Sequence, residues 1–158
     1  MASQAAVSRK SRAGHNLIEG TLNQPFLEFN LPNEIEQLQQ DESWKQASGR
    51  SSKVLVKHPD LRIVLIAMKA GSRMNEHTAA ARISIHTLSG HIRVHRPGRV
   101  AEVSAGHMIA LDQGLTHEVE TREDSAFLLT FSWPPDAKRA PRKKGKPAGK
   151  KNVRRKRA

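Results

Sequence analysis

Short apolar stretches separated by turn residues fill the middle of the chain and predict β-strands. The stretch 61–68 is almost wholly apolar, which is typical of a strand covered on both faces. In the stretch 53–57, Val54 and Val56 alternate with charged residues, and Leu55 is an exception to this alternation. Further predicted strands span residues 82–88, 91–95, 99–103, 108–111, 117–121 and 126–133. Eight short strands in roughly 80 residues predict an all-β sandwich or barrel.

The segment before these strands predicts a short helix. Asn33 is a candidate N-cap, and Glu34 and Glu36 fall in the first turn, where the helix dipole favours acidic side chains. We expect this helix to span roughly two turns and to end within residues 41–43. Trp44 follows it and is expected to anchor it to the body of the protein.

Composition divides the 158 residues into four segments. Residues 1–24 are small and polar and predict a disordered arm. Residues 25–51 hold the extended piece and the short helix, and residues 52–136 hold the predicted barrel. Residues 137–158 consist almost entirely of Lys, Arg, Ala, Pro and Gly and predict a disordered basic tail, since nothing there offsets the entropy cost of folding.

The net charge of +12 is concentrated in that tail. Residues 138–157 contain 12 Lys or Arg and no acid, so the 15 remaining basic residues are balanced by 15 acidic ones. Basic residues without interleaved aromatics neutralise phosphates without reading bases, which predicts non-specific binding of nucleic acid or another polyanion. A merely solubilising extension is the alternative. The candidate contact residues are Lys143, Lys144, Lys150, Lys151, Arg154, Arg155, Lys156 and Arg157.

Several function classes find no support in the sequence. The chain has no cysteine, which excludes disulfides, thiolate metal sites and cysteine nucleophiles. Its longest apolar run, residues 63–68, is far too short to span a membrane, and the first residues lack the apolar core of a signal peptide. No Gly-x-Ser-x-Gly elbow and no phosphate-binding loop occur. We therefore expect a cytoplasmic protein without a membrane span.

Two stretches place a histidine after a glycine turn at spacings that match a known family. The first runs from Gly71 through His77, Thr78 and Ala79 to Ile83 and Gly90, and the second from Gly106 through Asp112, Gly114 and His117 to Thr121. These stretches resemble the two motifs of the cupin family. The resemblance covers residues 52–133, about half of the chain. It implies an antiparallel jelly-roll barrel and, as in many small cupins, a homodimer. An apolar sheet face, or the segment around Phe26, Phe29 and Trp44, would supply the dimer contact.

The resemblance also implies where a metal would bind. In metal-dependent cupins His, His and Glu occupy the positions of His77, Ala79 and Ile83, and a second-motif His occupies that of His117. Here only two histidines remain, with Asp112 as a candidate third ligand. Two imidazoles alone are a poor site for zinc or iron.

Three functions follow from these observations as alternatives. The first is a non-catalytic barrel that binds a small ligand at His77 and His117. The second is a metal-dependent enzyme of the dioxygenase or isomerase type, holding a divalent iron, manganese, nickel, copper or zinc ion. The third is a nucleic-acid-associated protein that acts through its tail.

Three further histidines alternate with apolar residues and are expected on the outside of the barrel. Alternation along the strands places His86 on the face opposite Ile85. It places His91 and His95 on the face opposite Ile92 and Val94. Nearby arginines at positions 82, 96 and 99 would form a weak anion patch with them, although a solvated face is the simpler interpretation.

Overall fold

The structure is a computed structural model that describes Leu22 and residues 24–134. The predicted basic tail and nearly all of the predicted N-terminal arm lie outside these residues. Two helices come first, α1 (Leu31–Gln40) and α2 (Glu42–Lys45). Nine strands follow: β1 (Arg50–Lys57), β2 (Leu61–Met68), β3 (Arg73–His77), β4 (Arg82–Ser89), β5 (His91–Arg96), β6 (Arg99–Ser104), β7 (Met108–Leu111), β8 (His117–Thr121) and β9 (Ser125–Ser132).

The strands form two antiparallel sheets, which confirms the predicted all-β jelly-roll architecture. One sheet has five strands in the order β1-β2-β9-β4-β7, and the other has four in the order β3-β8-β5-β6. The strand β3 was not among the eight predicted strands. Its sequence, Arg-Met-Asn-Glu-His, contains a single apolar residue, so no alternation marks it.

The main hydrophobic core lies between the two sheets. Phe127 and Ile85 of the five-stranded sheet are almost completely buried, as are Ile92, Val94 and Val119 of the four-stranded sheet. Because side chains alternate along a strand, the other residues of each strand face outward. This alternation determines which residues can reach the interior at the ends of the barrel.

A second core joins the helices to the outer face of the five-stranded sheet. Leu38 of α1 and Trp44 of α2 pack there with Leu55, Leu65 and Ala67. The strand β2 is therefore covered on both faces, as its continuous apolar sequence predicted, and Trp44 anchors the helices as expected. Among the described residues, no helix is long and apolar enough to cross a membrane.

The predicted start of the helix is wrong by one turn. The N-cap is Asn30, whose side-chain oxygen accepts a hydrogen bond from the backbone N–H of Asn33 at 3.2 Å. Pro32 lies in the first turn, where its missing N–H costs nothing because that donor would lack a partner anyway. The helix therefore begins earlier and has ten residues. Asp41 caps the separate helix α2, accepting from the backbone N–H of Ser43 at 2.8 Å.

The exception at Leu55 is a β-bulge. Val54 pairs with Val64 and Val56 pairs with Ile63, so one extra residue is accommodated between them. Leu55 is buried in the second core, against the helices.

Candidate functional site

His77 and His117 lie opposite each other at one end of the four-stranded sheet. They are cross-strand partners on β3 and β8, and their ring centroids are 4.3 Å apart with the ring planes inclined by 56°. His117 is only 2% exposed, whereas His77 is half-buried. The structure thus brings together the two histidines that the sequence singled out, from motifs about forty residues apart.

The backbone fixes which nitrogen of each ring carries the proton. Nδ1 of His77 lies 2.8 Å from the carbonyl oxygen of Asn75, and Nδ1 of His117 lies 3.0 Å from that of Leu115. A carbonyl oxygen only accepts hydrogen bonds, so each Nδ1 must be the donor. In the neutral rings Nε2 then carries the lone pair. Neither Nε2 has a hydrogen-bond partner among residues 24–134, so both are available to accept from a ligand.

The pKa of His117 lies below the usual histidine value. Burial is the main cause, because removal from water penalises the charged ring, and the neighbouring His77 and Arg96 add repulsion. The hydrogen bond to Leu115 opposes these effects without cancelling them. His117 is therefore a neutral base at pH 7.

Two arginines extend the histidine pair across the rest of the sheet. Arg96 at the end of β5 pairs with Arg99 at the start of β6. The β5–β8 register pairs His95 with Glu118, which places Arg96 next to His117. Neighbouring strands of the sheet therefore each contribute one basic side chain to a single row. We call this the basic row: His77, His117, Arg96 and Arg99.

The basic row faces the inside of the barrel mouth. Arg96 follows the buried Val94 by two residues, and His117 precedes the buried Val119 by two, so each shares the inward face of its strand. Arg96 and Arg99 line a cleft of about 220 Å³ together with apolar side chains of β5, β6 and β7. The cleft residues are Val94, Arg96, Arg99, Ala101, Ile109, Ala110 and Leu111.

Acidic residues of the same sheet lie on its opposite, outer face. Glu102 binds His91 at 2.6 Å, and Glu120 binds His95 at 2.9 Å. The pKa of Glu120 is lowered mainly by the hydrogen bond from His95. For Glu102, removal from water raises the pKa, but hydrogen bonds from His91 and Arg93 and their charges together outweigh it, so the pKa is lowered. As alternation predicts, His91 and His95 lie opposite the buried side chains of their strand. The basic row therefore lies at the barrel mouth, and the histidine–glutamate pairs lie on the outer face of the sheet.

One part of the predicted outer anion patch is wrong. Arg96 and Arg99 line the inner cleft rather than joining the outer histidines, and Arg82 is bound to Asp112 at 3.0 Å. The alternation of Ile92 and Val94, continued by two residues, would have placed Arg96 inside.

The side chains at the mouth do not fit a resident metal ion. Asp112 is turned to Arg82 and to the backbone N–H of Gln113, at 2.9 Å, and so does not supply the third ligand. Ile83 is buried in the main core and Ala79 packs against it. Within residues 24–134 no three His, Asp or Glu side chains form a group that could hold a metal ion. Two imidazoles fall short of the three protein ligands typical of catalytic zinc or iron sites.

Comparison with solved structures identifies the fold. A cupin-2 domain protein from Shewanella frigidimarina superposes with a TM-score of 0.54 at 14% identity, covering 66% of this chain and 94% of that one. A cupin 2 conserved barrel protein from Leptotrichia buccalis gives 0.52 at 25% identity, covering 56% and 43%. The described chain folds as a cupin-type domain. No protein-family model matches the sequence, and no curated protein does so either.

The structure is also similar in fold to an enzyme. A variant of salicylate 1,2-dioxygenase from Pseudoaminobacter salicylatoxidans gives a TM-score of 0.57 at 13% identity, covering 66% of this chain and 34% of that one. At such identity the likeness concerns the fold alone. The function of a cupin-type domain therefore depends on its own side chains.

Proposed function

We propose that this protein binds a small ligand in its barrel mouth without catalysing a reaction on it. The observation that carries this proposal is the histidine pair, with both Nδ1 atoms bonded to backbone carbonyls and both Nε2 atoms unpartnered within the described residues. Two oriented acceptors 4.3 Å apart by ring centroid match a ligand that donates one or two hydrogen bonds. The fixed tautomers lower the cost of ordering the site on binding.

The cleft beside the pair supports this role. Its volume of about 220 Å³ suits a small molecule rather than a polymer, and aliphatic side chains and two arginines line it. Arg96 belongs both to this cleft and to the basic row, so a ligand seated in the cleft meets the histidine end through Arg96.

The alternative is a metal-dependent enzyme. Two histidines without a third protein ligand among the described residues disfavour it. Tag-free protein analysed by elemental mass spectrometry should contain much less than one iron, manganese, nickel, copper or zinc ion per chain. A near-stoichiometric metal that disappears in a His77→Ala, His117→Ala double variant would favour the enzyme instead.

The ligand site itself is tested by a small-molecule library screened on protein with labelled histidines. Compounds that bind should shift the ring resonances of His77 and His117. The His77→Ala, His117→Ala variant should no longer bind these compounds. A matched His91→Ala, His95→Ala variant removes two outer histidines of the same sheet and should still bind the same compounds. The proposal would be overturned by compounds that bind the His77→Ala, His117→Ala variant as tightly as the wild type, or by a screen that finds no binding compound.

We further propose that the basic tail holds a polyanion such as nucleic acid independently of the barrel. The support is compositional: the twelve cations of residues 138–157 include no acid or aromatic among them. A chain ending after Trp133 should lose binding to a labelled DNA duplex at low salt, while the full chain should lose it steeply as salt rises. Equal binding by both chains would contradict this assignment.

A homodimer, which the family resemblance implies, is also proposed. Of the three aromatics expected at a contact, Trp44 and Phe29 pack in the second core, and Phe26 remains 80% exposed. Sedimentation equilibrium of the wild type and of a Phe26→Ser variant tests whether the chain pairs and whether this side chain contributes.

A further inference from the structure

The two arginines of the basic row lack an acidic partner in the described part of the chain. Three other strand arginines are paired with acids: Arg73 with Glu118 and Glu120, Arg82 with Asp112, and Arg93 with Glu102. Arg62 also has a buried Nε without a hydrogen bond, but its guanidinium lies over the ring of Trp133, 5.8 Å from the centroid. Among the described residues Arg96 has neither an acidic partner nor such a ring; its Nε is buried without a hydrogen bond, and it pairs across the sheet with a second arginine, Arg99. A buried donor without a partner is costly, and like charges directly opposite each other destabilise a sheet.

Such an arrangement is complementary to an anion. A guanidinium presents its N–H groups as a planar fork that matches the two oxygens of a carboxylate. Two adjacent guanidiniums beside a neutral histidine leave the mouth with positive charge and no local counter-charge from the residues lining the cleft. A bound anion would supply the missing acceptor for the Nε of Arg96 and relieve the repulsion between the two arginines.

The remaining walls of the cleft are aliphatic. Ile109 and Leu111 of β7 face Val94 and Ala101 of the other sheet, and none of these side chains can form a hydrogen bond. A bare inorganic anion would leave this surface in contact with water, whereas an apolar body would cover it. The walls therefore favour an organic anion over phosphate.

We propose that the ligand is a small organic acid whose carboxylate is bound by Arg96 and Arg99 and whose aliphatic body lies against Ile109 and Leu111. This inference rests on the proposed function and deepens it by naming the ligand class. The histidine pair stands at the other end of the basic row, where its Nε2 acceptors select a hydroxyl or amide donor on the same molecule.

The test uses the full chain and a panel of aliphatic carboxylic acids of four to eight carbons, with and without a hydroxyl group. Each acid is compared with its own neutral amide and with inorganic phosphate. The readouts are the side-chain Nε–H resonance of Arg96 and the ring resonances of the two histidines. Acids should shift the Arg96 resonance, and their amides and phosphate should do so at least tenfold more weakly.

Substitutions separate charge from structure. Arg96→Gln should weaken binding of the acids by roughly 10- to 100-fold, the scale of a lost charge-assisted hydrogen-bond pair. Arg96→Lys should restore only part of the loss, since an ammonium lacks the fork. Arg93→Gln, which removes an arginine from the outer face of the same strand, should leave affinity unchanged.

The outcomes distinguish this inference from the function on which it rests. Amides that bind as tightly as acids overturn the anion assignment while ligand binding at the histidines stands. Phosphate that binds as tightly as the acids overturns the role of the aliphatic wall. If the earlier library screen yields no binder at the histidine pair, the proposed function fails first.

Discussion

Arg96 lies directly opposite Arg99 across β5 and β6, at the inner rim of the barrel. Cross-strand pairs of like charge oppose folding, and here one member also has a buried Nε without a hydrogen-bond partner. The neighbouring pair on the outer face of the same strands, Arg93 and Glu102, is complementary. The contrast places the unfavourable electrostatics at the rim, which is where the ligand is proposed to bind.

Removing the Arg96 guanidinium should therefore stabilise the ligand-free protein. Arg96→Met keeps most of the apolar stem and removes the unpartnered donor, so we expect the free energy of unfolding to rise by about 1 kcal/mol. Urea denaturation measures the change. Arg93→Met is the matched control and should not stabilise, since its guanidinium is paired. A loss of stability in Arg96→Met would show that the arginine serves the fold.

The stability of the protein should fall as the solution is acidified below the usual histidine pKa. His117 has a lowered pKa in the folded state, chiefly through burial, so the unfolded chain binds more protons in this range. Stability from this residue is complete above about pH 6.5 and is lost as the pH falls through the unfolded value toward the folded one. His77 and Arg96 are the charged or titratable neighbours that add to the effect.

A His117→Asn variant isolates that contribution. The asparagine amide can still donate to the carbonyl of Leu115, but it does not titrate. Denaturation at a series of pH values should give a smaller slope of unfolding free energy against pH in the variant below about pH 6.5. Identical slopes would mean that burial does not perturb this ring.

The core between the sheets should be sensitive at Phe127. Its side chain is fully buried, so Phe127→Ala removes buried apolar surface and leaves a cavity, at an expected cost of about 3–5 kcal/mol. Phe26→Ala makes the same chemical change at a position that is 80% exposed and should alter stability by less than about 0.5 kcal/mol. Comparable costs at the two positions would contradict the described packing.

Two glycines of positive φ provide a test of the turn geometry. Gly90 has φ +75°, and a Cβ there would lie 2.5 Å from the carbonyl oxygen of Asp124 and would clash with Oγ of Ser125. Gly98 has φ +73° but open space around it. We expect Gly98→Ala to cost about 1–2 kcal/mol from backbone strain alone. Gly90→Ala should cost clearly more, because backbone must also move, and thermal unfolding ranks the two.

Much of the fold was predictable because its strands are strongly patterned. The two-sided burial of β2 and the inward position of Ile85 followed directly from the order of apolar residues. The strand β3 escaped prediction because only Met74 in it is apolar, so its pairing with β8 depends on tertiary contacts. The helix start was misplaced because Asn30 and Asn33 are both residue types that cap helices, and the structure uses Asn30, whose side chain accepts from the backbone N–H of Asn33.

The candidate site was predictable only in part. Glycine turns and spacing drew attention to His77 and His117, and β-pairing brings them face to face. The ring tautomers depend on local carbonyl geometry, which no spacing records. The inward position of Arg96 was not predicted, because its closeness in sequence to the outer histidines suggested a shared anion patch, although strand alternation separates them.

The protonation of the two histidine rings tests the account most directly. A long-range nitrogen–proton spectrum of ring-labelled protein at pH 7 distinguishes the two neutral tautomers from the charged ring. We predict that both rings carry a proton on Nδ1, that the ring of His117 is bare at Nε2, and that a bound ligand shifts the Nε2 signals first. A proton on Nε2 of the ligand-free His117 ring, or signals that no ligand moves, would contradict a binding site at the barrel mouth.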